Sequence, residues 1–321
     1  MPTSIIGISG PSSSGKTTLA RLLQRIFNDA DPSLRTFMIH EDDFYFPDDK
    51  IPYTKTPSGE LIQDWDTIGA IDVSFLTSAL AYVREHGRLP PRLTSIQDRN
   101  ETSESGVSDE IVDQLRGDVA GRLRALSQGA GTVSSVAFLE GFLLYSPPLE
   151  EEGGRRDESH VLRSVHEKID VRMFLPAPYD AVKARRENRS GYATSGPAPG
   201  VSEEVCRGEK GEEGGGEVDL EGEDDRPLQN FWTDPPGYVD DVVWPRYVQD
   251  HSWLLLTEGQ SLRCGALEAD SREWIRKVGQ GVNVRTDAGV TVAPGQGNKP
   301  MVDILKWAVE EVMSYLETHA T

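Results

Sequence analysis

Short apolar runs alternate with amphipathic stretches along most of this chain, which is the pattern of strands and helices that follow one another. Contiguous or alternating apolar residues predict strands at Thr3–Ser9, Arg35–His40, Thr132–Leu139, Ile169–Leu175 and Asn283–Val292. Apolar residues at helical spacing predict helices at Thr17–Asn28, Ile71–His86, Ile111–Leu126, Tyr179–Asn188 and Val302–Thr318. This alternation predicts an α/β fold, with a five-stranded parallel sheet covered by helices on both faces. The second and third of these helices are expected to pack side by side.

One region departs from this pattern. Between Glu203 and Arg226 the chain carries eleven acidic and three basic residues, interleaved with glycines. Such a composition buries too little apolar surface to offset the entropy lost on ordering. We therefore predict a disordered acidic insertion over residues 194–228, within a single domain of residues 1–321. Residues 259–296, which are rich in glycine and charged residues, form a second elaboration, and their sequence does not indicate whether it is structurally ordered.

The charge balance limits the partners. The formal net charge of −20 excludes a nucleic-acid backbone, because binding to it needs a basic face. No apolar run reaches the roughly 18 residues that span a membrane, so no membrane partner is expected. The first residues lack the charged-then-apolar pattern of an export signal, which predicts a cytoplasmic protein with access to the nucleus. Composition does not define the oligomeric state.

A phosphate-binding motif lies between the first predicted strand and the first predicted helix. The segment from Gly10 to Thr17 fits G-x-x-x-x-G-K-[ST], in which a glycine-rich turn aims backbone N–H groups at nucleotide phosphates. The ammonium group of Lys16 adds positive charge, and the hydroxyl of Thr17 can hold Mg²⁺. The residues predicted to bind the nucleotide here are Gly10, Ser12, Ser13, Ser14, Gly15, Lys16, Thr17 and Thr18.

Acidic residues follow two further strands at the edge where ligands bind in parallel sheets. Asp42 and Asp43 come directly after the second strand, and either carboxylate could take the proton of an attacking hydroxyl or hold Mg²⁺ through water. We favour Asp43. Glu140 ends the central strand, where many phosphate-loop proteins carry an acid that contacts Mg²⁺ or its waters.

A basic helix precedes the acidic insertion. It carries Lys183, Arg185, Arg186 and Arg189, and its position predicts a lid whose guanidinium groups close over a triphosphate. Two GTPase-like patterns are incomplete. The D-x-x-G match at Asp66 lacks a preceding apolar strand, and Asn298-Lys299 is followed by Met301 where a guanine-binding aspartate would stand.

Together these motifs resemble those of the nicotinamide riboside kinases, which belong to the uridine-kinase-like P-loop kinases. The resemblance covers about residues 3–193 and 229–256, and the fungal members are most similar. It rests on the motifs Gly10–Thr18, His40–Tyr45, Gln63–Asp66, Glu140–Leu144, Arg185–Arg189 and Asp234–Tyr238. Uridine kinases usually carry a His-Pro-Asp-type segment where this chain has Gln63-Asp64-Trp65-Asp66.

The resemblance implies a P-loop kinase fold with a helical lid, and transfer of the γ-phosphoryl group of ATP to the 5′-hydroxyl of nicotinamide riboside. The product would be nicotinamide mononucleotide, an intermediate of NAD salvage. In this reading Asp43 is the catalytic base, Lys16 and Arg186 stabilise charge, and the Mg²⁺ site comprises Thr17, Asp43 and Glu140.

The resemblance also implies a division of the binding residues. ATP would be held by the phosphate loop together with Arg185, Arg189 and, at the adenine, the loop that contains Lys299. The nucleoside would be held by Asp43, Phe44, Trp65, Asp66, Arg186 and Tyr192. Asp66 would accept hydrogen bonds from the ribose hydroxyls, and Tyr192 would lie beside the nicotinamide ring.

Two other functions stay open on the sequence alone. One is a uridine or cytidine kinase, which would share the phosphate loop, the acid after the second strand and the lid. The other is a non-catalytic nucleotide-binding regulatory protein, in which the acidic insertion would recruit partners.

Overall fold

The computed structural model describes residues 3–97, 104–129, 133–148, 160–194, 196, 230–255, 276 and 288–319. Its strands are β1 (Ser4–Ser9), β2 (Arg35–His40), β3 (Tyr53–Lys55), β4 (Leu61–Gln63), β5 (Ser135–Gly141), β6 (Val171–Phe174), β7 (Tyr192–Thr194), β8 (Asn230–Trp232) and β9 (Thr291–Val292). Five of them form an all-parallel sheet in the order β2-β5-β1-β6-β9, which confirms the predicted five-stranded core.

Helices follow the strands along the chain. They are α1 (Lys16–Ala30), α2 (Val73–His86), α3 (Asp109–Gly129), α4 (Arg163–His166), α5 (Tyr179–Glu187), α6 (Trp244–Leu255) and α7 (Met301–His319). A π-helical turn, Val239–Val243, leads into α6. Within the described ranges, none of the helices combines the length and the apolar character needed to cross a bilayer.

The sheet is apolar on both faces, and the alternation of side chains along β5 divides them. Val136 and Phe138 point to one face, where they join the core formed with α1, α3 and α7. Ala137 and Leu139 point to the other face, where α2, α4, α5 and α6 pack. Because both faces are covered by helices, the central strands β1 and β5 are buried, whereas the edge strands β2 and β9 are only partly buried.

The third helix does not pack where the sequence suggested. The apolar residues of α2 belong to one face of the sheet, whereas Val112, Val119 and Leu123 of α3 belong to the other, against α1 and α7. The expectation that the two helices lie side by side is therefore wrong. The connection after His86 exceeds twenty residues, so it is long enough to carry the chain from one face to the other.

Two strand boundaries differ from the prediction. β5 begins later and runs on to Gly141, so that Glu140 lies inside the strand and pairs with Ile8 and His40 in the neighbouring strands. The late strand is reduced to Thr291 and Val292, whereas residues 283–287 of its predicted span lie outside the described residues. Most of the predicted acidic insertion and of the second elaboration also lies outside them.

Two antiparallel ribbons stand apart from the main sheet. β3 pairs with β4, and β7 pairs with β8 so that Tyr192 faces Trp232. The β7–β8 ribbon flanks the insertion, since the chain leaves it after Thr194 and returns at Asn230. The β7–β8 ribbon contributes to the wall of the cavity described next, and Trp65 and Asp66, just after β4, also line it.

Candidate active site

A cavity of about 970 Å³ opens at the carboxyl ends of the parallel strands. This is the edge at which open α/β sheets bind ligands, and the volume suits two small substrates together. The cavity brings together most of the predicted site residues: Ser12, Ser13, Ser14, Gly15, Lys16, Thr17, Thr18, Trp65, Asp66, Glu140, Arg185, Arg186, Arg189, Tyr192 and Lys299. Of the described residues that the sequence nominated, Gly10, Asp43 and Phe44 are not in its wall.

The phosphate loop links β1 to α1 through an unusual backbone path. Gly10 packs against the carbonyl oxygen of Leu175 so closely that no Cβ would fit, and Gly15 adopts φ of 102°. Gly15 caps α1 without a side chain, which leaves the first N–H groups of the helix available to an anion. The ammonium group of Lys16 is buried and donates to the carbonyl of Pro11 at 3.0 Å.

A hydrogen-bonded chain joins α1 to β5 and β2. The hydroxyl of Thr17 donates to Oε1 of Glu140 at 3.0 Å, and Nδ1 of His40 lies 2.7 Å from the same oxygen. Burial opposes the charge on Glu140, but the hydrogen bond and the charge of His40 outweigh it, so the pKa of Glu140 is lowered. An ionised Glu140 is thus held beside the Thr17 hydroxyl.

The two adjacent aspartates after β2 have different surroundings. Asp42 lines the cavity, and burial together with the charge of Glu140 raises its pKa to about 6, against the opposing effect of Lys16. Asp43 is buried, and its Oδ1 accepts the backbone N–H of Ile96 at 3.1 Å. The geometry therefore corrects the choice between the two acids, because Asp42 is the one that faces the cavity.

Phe44 is also displaced from its predicted role. Its side chain is 1% exposed and packs in the core against Phe75, with ring centroids 5.1 Å apart. The aromatic residue that does reach the cavity from this segment is Tyr45, whose hydroxyl donates to the carbonyl of Trp65 at 2.9 Å.

Glu41 fixes the start of the turn that carries these acids. Its Oε2 accepts the backbone N–H groups of Phe142 and Leu143, at 2.6 and 3.0 Å. Burial raises the pKa of Glu41 to about 8, against the lowering effect of these hydrogen bonds. Its side chain fills the space where a Cβ on Gly141 would lie, which ties the turn after β2 to the end of β5.

The lid helix α5 places one guanidinium between two carboxylates. Nη1 and Nη2 of Arg186 donate to the two carboxylate oxygens of Asp66, at 2.8 and 3.0 Å. Its Nε and Nη2 donate to Asp234 at 2.6 and 3.2 Å. Such bidentate pairs fix both orientation and charge, so Asp66 is held with its carboxylate in the cavity wall.

The other two lid arginines contact different parts of the cavity wall. Nη1 of Arg185 donates to the carbonyl of Ser13 at 3.2 Å, which joins the lid to the loop directly. The guanidinium of Arg189 lies 4.2 Å from the ring centroid of Tyr192. Lys299 lines the cavity just before α7, on the loop predicted to contact the adenine.

Aromatic rings form another part of the cavity wall. The centroids of Trp65 and Trp232 are 5.6 Å apart, and those of Tyr45 and Trp65 are 5.3 Å apart. Tyr192 completes this wall from β7. Rings arranged in this way favour a flat cationic ligand, because their negative faces attract positive charge.

Sequence reasoning missed several residues of the site. Trp232 and Asp234 lie beyond the insertion, and only the motif around Asp234 marked that segment. His40 and Tyr45 belong to the motif after β2, but nothing in the sequence alone assigned their side chains to the cavity. The indole N–H of Trp232 donates to Asp234 at 3.0 Å, and Asp234 also accepts from Arg186, so these three side chains form one hydrogen-bonded group.

Comparison with known proteins identifies the family, although no protein-family model matches the chain. The nicotinamide riboside kinase of Schizosaccharomyces pombe is 30% identical over 254 residues, which cover 79% of this chain and 81% of that protein. The nicotinamide riboside kinases of Eremothecium gossypii and Saccharomyces cerevisiae are 28% and 24% identical, each over 78% of this chain and 77% and 79% of their own lengths. The P-loop kinase fold and the similarity along most of both chains agree. This chain belongs to the nicotinamide riboside kinase family.

Proposed function

We propose that this protein transfers the γ-phosphoryl group of ATP to the 5′-hydroxyl of nicotinamide riboside, which gives nicotinamide mononucleotide. One observation carries the proposal: a single cavity is lined by the phosphate loop, by Asp42, by the Asp66–Arg186 pair and by aromatic rings. The names of the three relatives favour this substrate over uridine and over a non-catalytic role. The cytoplasmic location expected from the sequence stays a prediction.

The donor end of the cavity suits a nucleoside triphosphate and magnesium. The available N–H groups at the start of α1, the ammonium of Lys16 and the guanidinium groups of Arg185 and Arg189 are donors for phosphate oxygens. Within the described ranges no three His, Cys, Asp or Glu side chains form a metal cluster. Magnesium in phosphoryl transfer needs only one or two protein oxygens besides phosphates and waters.

The oxygens that fit this requirement are those of Thr17, Glu140 and Asp42. These residues would hold the magnesium ion, and its positive charge would offset the negative charge of the transferring group. Glu140 accepts the Thr17 hydroxyl hydrogen and thereby turns a lone pair of that oxygen toward the cavity. Asp42 replaces Asp43 in the predicted set, because Asp42 lines the cavity.

At the acceptor end, Asp42 would take the proton of the 5′-hydroxyl. A pKa of about 6 keeps this carboxylate ionised at neutral pH while leaving it basic enough to accept a proton. Asp66 would accept hydrogen bonds from the ribose hydroxyls, since both of its oxygens are held in place by Arg186. The nucleoside would thus be aligned with its 5′-oxygen toward the phosphate loop.

Base recognition would fall to the aromatic wall. The pyridinium ring of nicotinamide riboside is flat and positively charged, whereas uracil is neutral. Trp65 and Trp232 would offer ring faces to such a cation, and the surrounding carboxylates would add negative potential. The ring of Tyr192 already lies against the guanidinium group of Arg189, so it would contribute beside the ligand. The closed contacts of the lid, from Arg186 to Asp66 and Asp234, would keep water from the transferred group.

A product assay tests the proposal. Purified protein is incubated with nicotinamide riboside, magnesium and ATP labelled at the γ-phosphorus, and the product is located by phosphorus NMR and mass. We expect label on the 5′-oxygen of nicotinamide mononucleotide. Release of labelled phosphate alone, or absence of any labelled nucleotide, would contradict the proposal.

A further inference from the structure

The side chain of Asp48 bonds to both strands of the β7–β8 ribbon at one end of the ribbon. It lies in the turn Asp48–Lys50 between β2 and β3. Its Oδ2 accepts hydrogen bonds from the hydroxyl of Thr194 at 3.1 Å and from the amide of Asn230 at 2.8 Å. Its Oδ1 accepts the backbone N–H of Gly196 at 3.1 Å, and its own N–H donates to the carbonyl of Gly196 at 2.9 Å.

These contacts all lie at one end of the ribbon, at the pair Thr194 and Asn230, and the pair Tyr192 and Trp232 forms the other end. Tyr192, Thr194 and Trp232 line the cavity, so the ribbon follows the cavity wall along β7. The ribbon has only three pairs, and short two-stranded ribbons are marginally stable on their own. The position of the ribbon therefore depends on the contacts that its two ends make with the rest of the protein.

Asp48 also contacts the opposite ribbon. Its carbonyl oxygen accepts the side-chain amide of Gln63 at 2.7 Å, and Gln63 ends β4 two residues before Trp65. The same residue is thus bonded to the strand that leads to Trp65 and to the ribbon that carries Trp232. These two indole rings are 5.6 Å apart in the wall of the nucleoside end.

We propose that Asp48 is a positioning residue: it latches the β7–β8 ribbon against the β3–β4 ribbon and so holds Trp232 opposite Trp65 for binding of the nucleoside. The inference rests on the proposed function for the identity of that nucleoside. Asp48 does not line the cavity, so it acts through the ribbon and not on the reacting atoms. Hydrogen bonds to a charged acceptor are stronger than those between neutral groups, which suits a latch of this kind.

The lid helix α5 is held by contacts that do not involve Asp48. Arg185 joins α5 to the carbonyl of Ser13, and Arg186 is bonded to Asp66 and Asp234 independently of Asp48. Loss of the latch should therefore weaken nucleoside binding, while ATP binding and the chemical step are retained. A rise in KM with kcat unchanged is the kinetic signature of such a loss of uniform binding.

The test compares Asp48→Ala with Glu60→Gln, a control that removes one negative charge from the exposed turn of the neighbouring ribbon. For Asp48→Ala we expect KM for nicotinamide riboside to rise about tenfold, with kcat and KM for ATP changed by less than about twofold, as loss of hydrogen bonds to a charged group implies. Asn230→Ala should raise the same KM less, and the double variant should be no worse than Asp48→Ala alone. Wild-type KM in Asp48→Ala would overturn the inference, as would a parallel loss of ATP binding.

A second measurement does not depend on the substrate. Amide hydrogen exchange of the peptides that contain Ala193 and Phe231, whose backbones pair in the ribbon, should be faster in free Asp48→Ala than in Glu60→Gln. Equal exchange in the two variants would contradict the latch. If wild-type protein fails to phosphorylate nicotinamide riboside, the proposed function fails, and the exchange comparison still decides whether Asp48 holds the ribbon.

Discussion

The side chains of the three consecutive acidic residues after β2 point in different directions, because these residues occupy one 3₁₀ turn, Glu41–Phe44. Such a turn has three residues per revolution, so successive side chains point about 120° apart. Glu41 points to the backbone of Phe142, Asp42 to the cavity, and Asp43 to the backbone of Ile96. The sequence predicted that an acidic residue of this segment belongs to the site. Which acid faces the cavity depends on the rotation of the turn about its axis, and the packing of Phe44 into the core sets that rotation so that Asp42 faces the cavity.

The first prediction separates the two candidate bases. Asp42→Asn should lower kcat/KM for the nucleoside by about 10²–10⁴-fold, because an amide cannot take the proton, while ATP still binds. Asp43→Asn should stay within about tenfold of wild type, since an amide oxygen can still accept the N–H of Ile96. Steady-state kinetics with an ATP-binding titration measures both. A larger loss in Asp43→Asn would restore the original assignment of the base.

The same assignment fixes the direction of the pH dependence. The carboxylate of Asp42 must be ionised to act as base, and its pKa in the free protein is raised to about 6. Therefore kcat/KM should be level near neutral pH and fall about tenfold per unit below this pKa. A kcat/KM that rises as the pH falls through this range would contradict Asp42 as the base.

Among the secondary-structure elements, α5 contributes Arg186 to the site, and the forked shape of its guanidinium group matters more than its charge. Replacement of Arg186 by Lys keeps the positive charge but loses the fork that binds Asp66 and Asp234 at once. We expect Arg186→Lys to lower kcat/KM for the nucleoside by about 10²-fold, with ATP affinity nearly unchanged. Lys183→Arg, on the same helix and paired with Asp240, is the matched control and should remain near wild type. If Arg186→Lys and Lys183→Arg were equally active, the assignment of Arg186 to the nucleoside site would be contradicted.

The elements that could be predicted are those with a local signal. β1, α1, β2, α5 and α7 have strong apolar periodicity or follow the phosphate-loop motif, and they appear within two residues of their expected bounds. The β7–β8 ribbon pairs segments that are separated by residues 195–229, so no local pattern revealed it. The β3–β4 ribbon is a local hairpin, but each of its strands has only three residues, which is too short to show a periodic pattern. The face of the sheet on which α3 packs could likewise not be predicted from the sequence of α3 alone, because it depends on the apolar surface that α1 and α7 present to α3.

At the scale of the whole molecule, the site is assembled from segments far apart in sequence. The phosphate loop, Glu140, Asp66 and the lid arginines were predicted and lie around one cavity. Trp232 returns to it only after residues 197–229, which lie outside the described residues, so its place opposite Trp65 could not be read from spacing. The donor end was thus predictable from a motif, whereas the acceptor end required the fold.

The central claim is that the acceptor end selects a nicotinamide nucleoside, and competition between substrates tests it most directly. Equal concentrations of nicotinamide riboside and uridine are supplied with limiting ATP and magnesium, and the two monophosphates are quantified early in the reaction. Their ratio gives the ratio of kcat/KM values. The account predicts that nicotinamide mononucleotide exceeds uridine monophosphate by at least about tenfold, since a cation is favoured over a neutral base by the aromatic wall. An excess of uridine monophosphate would contradict it.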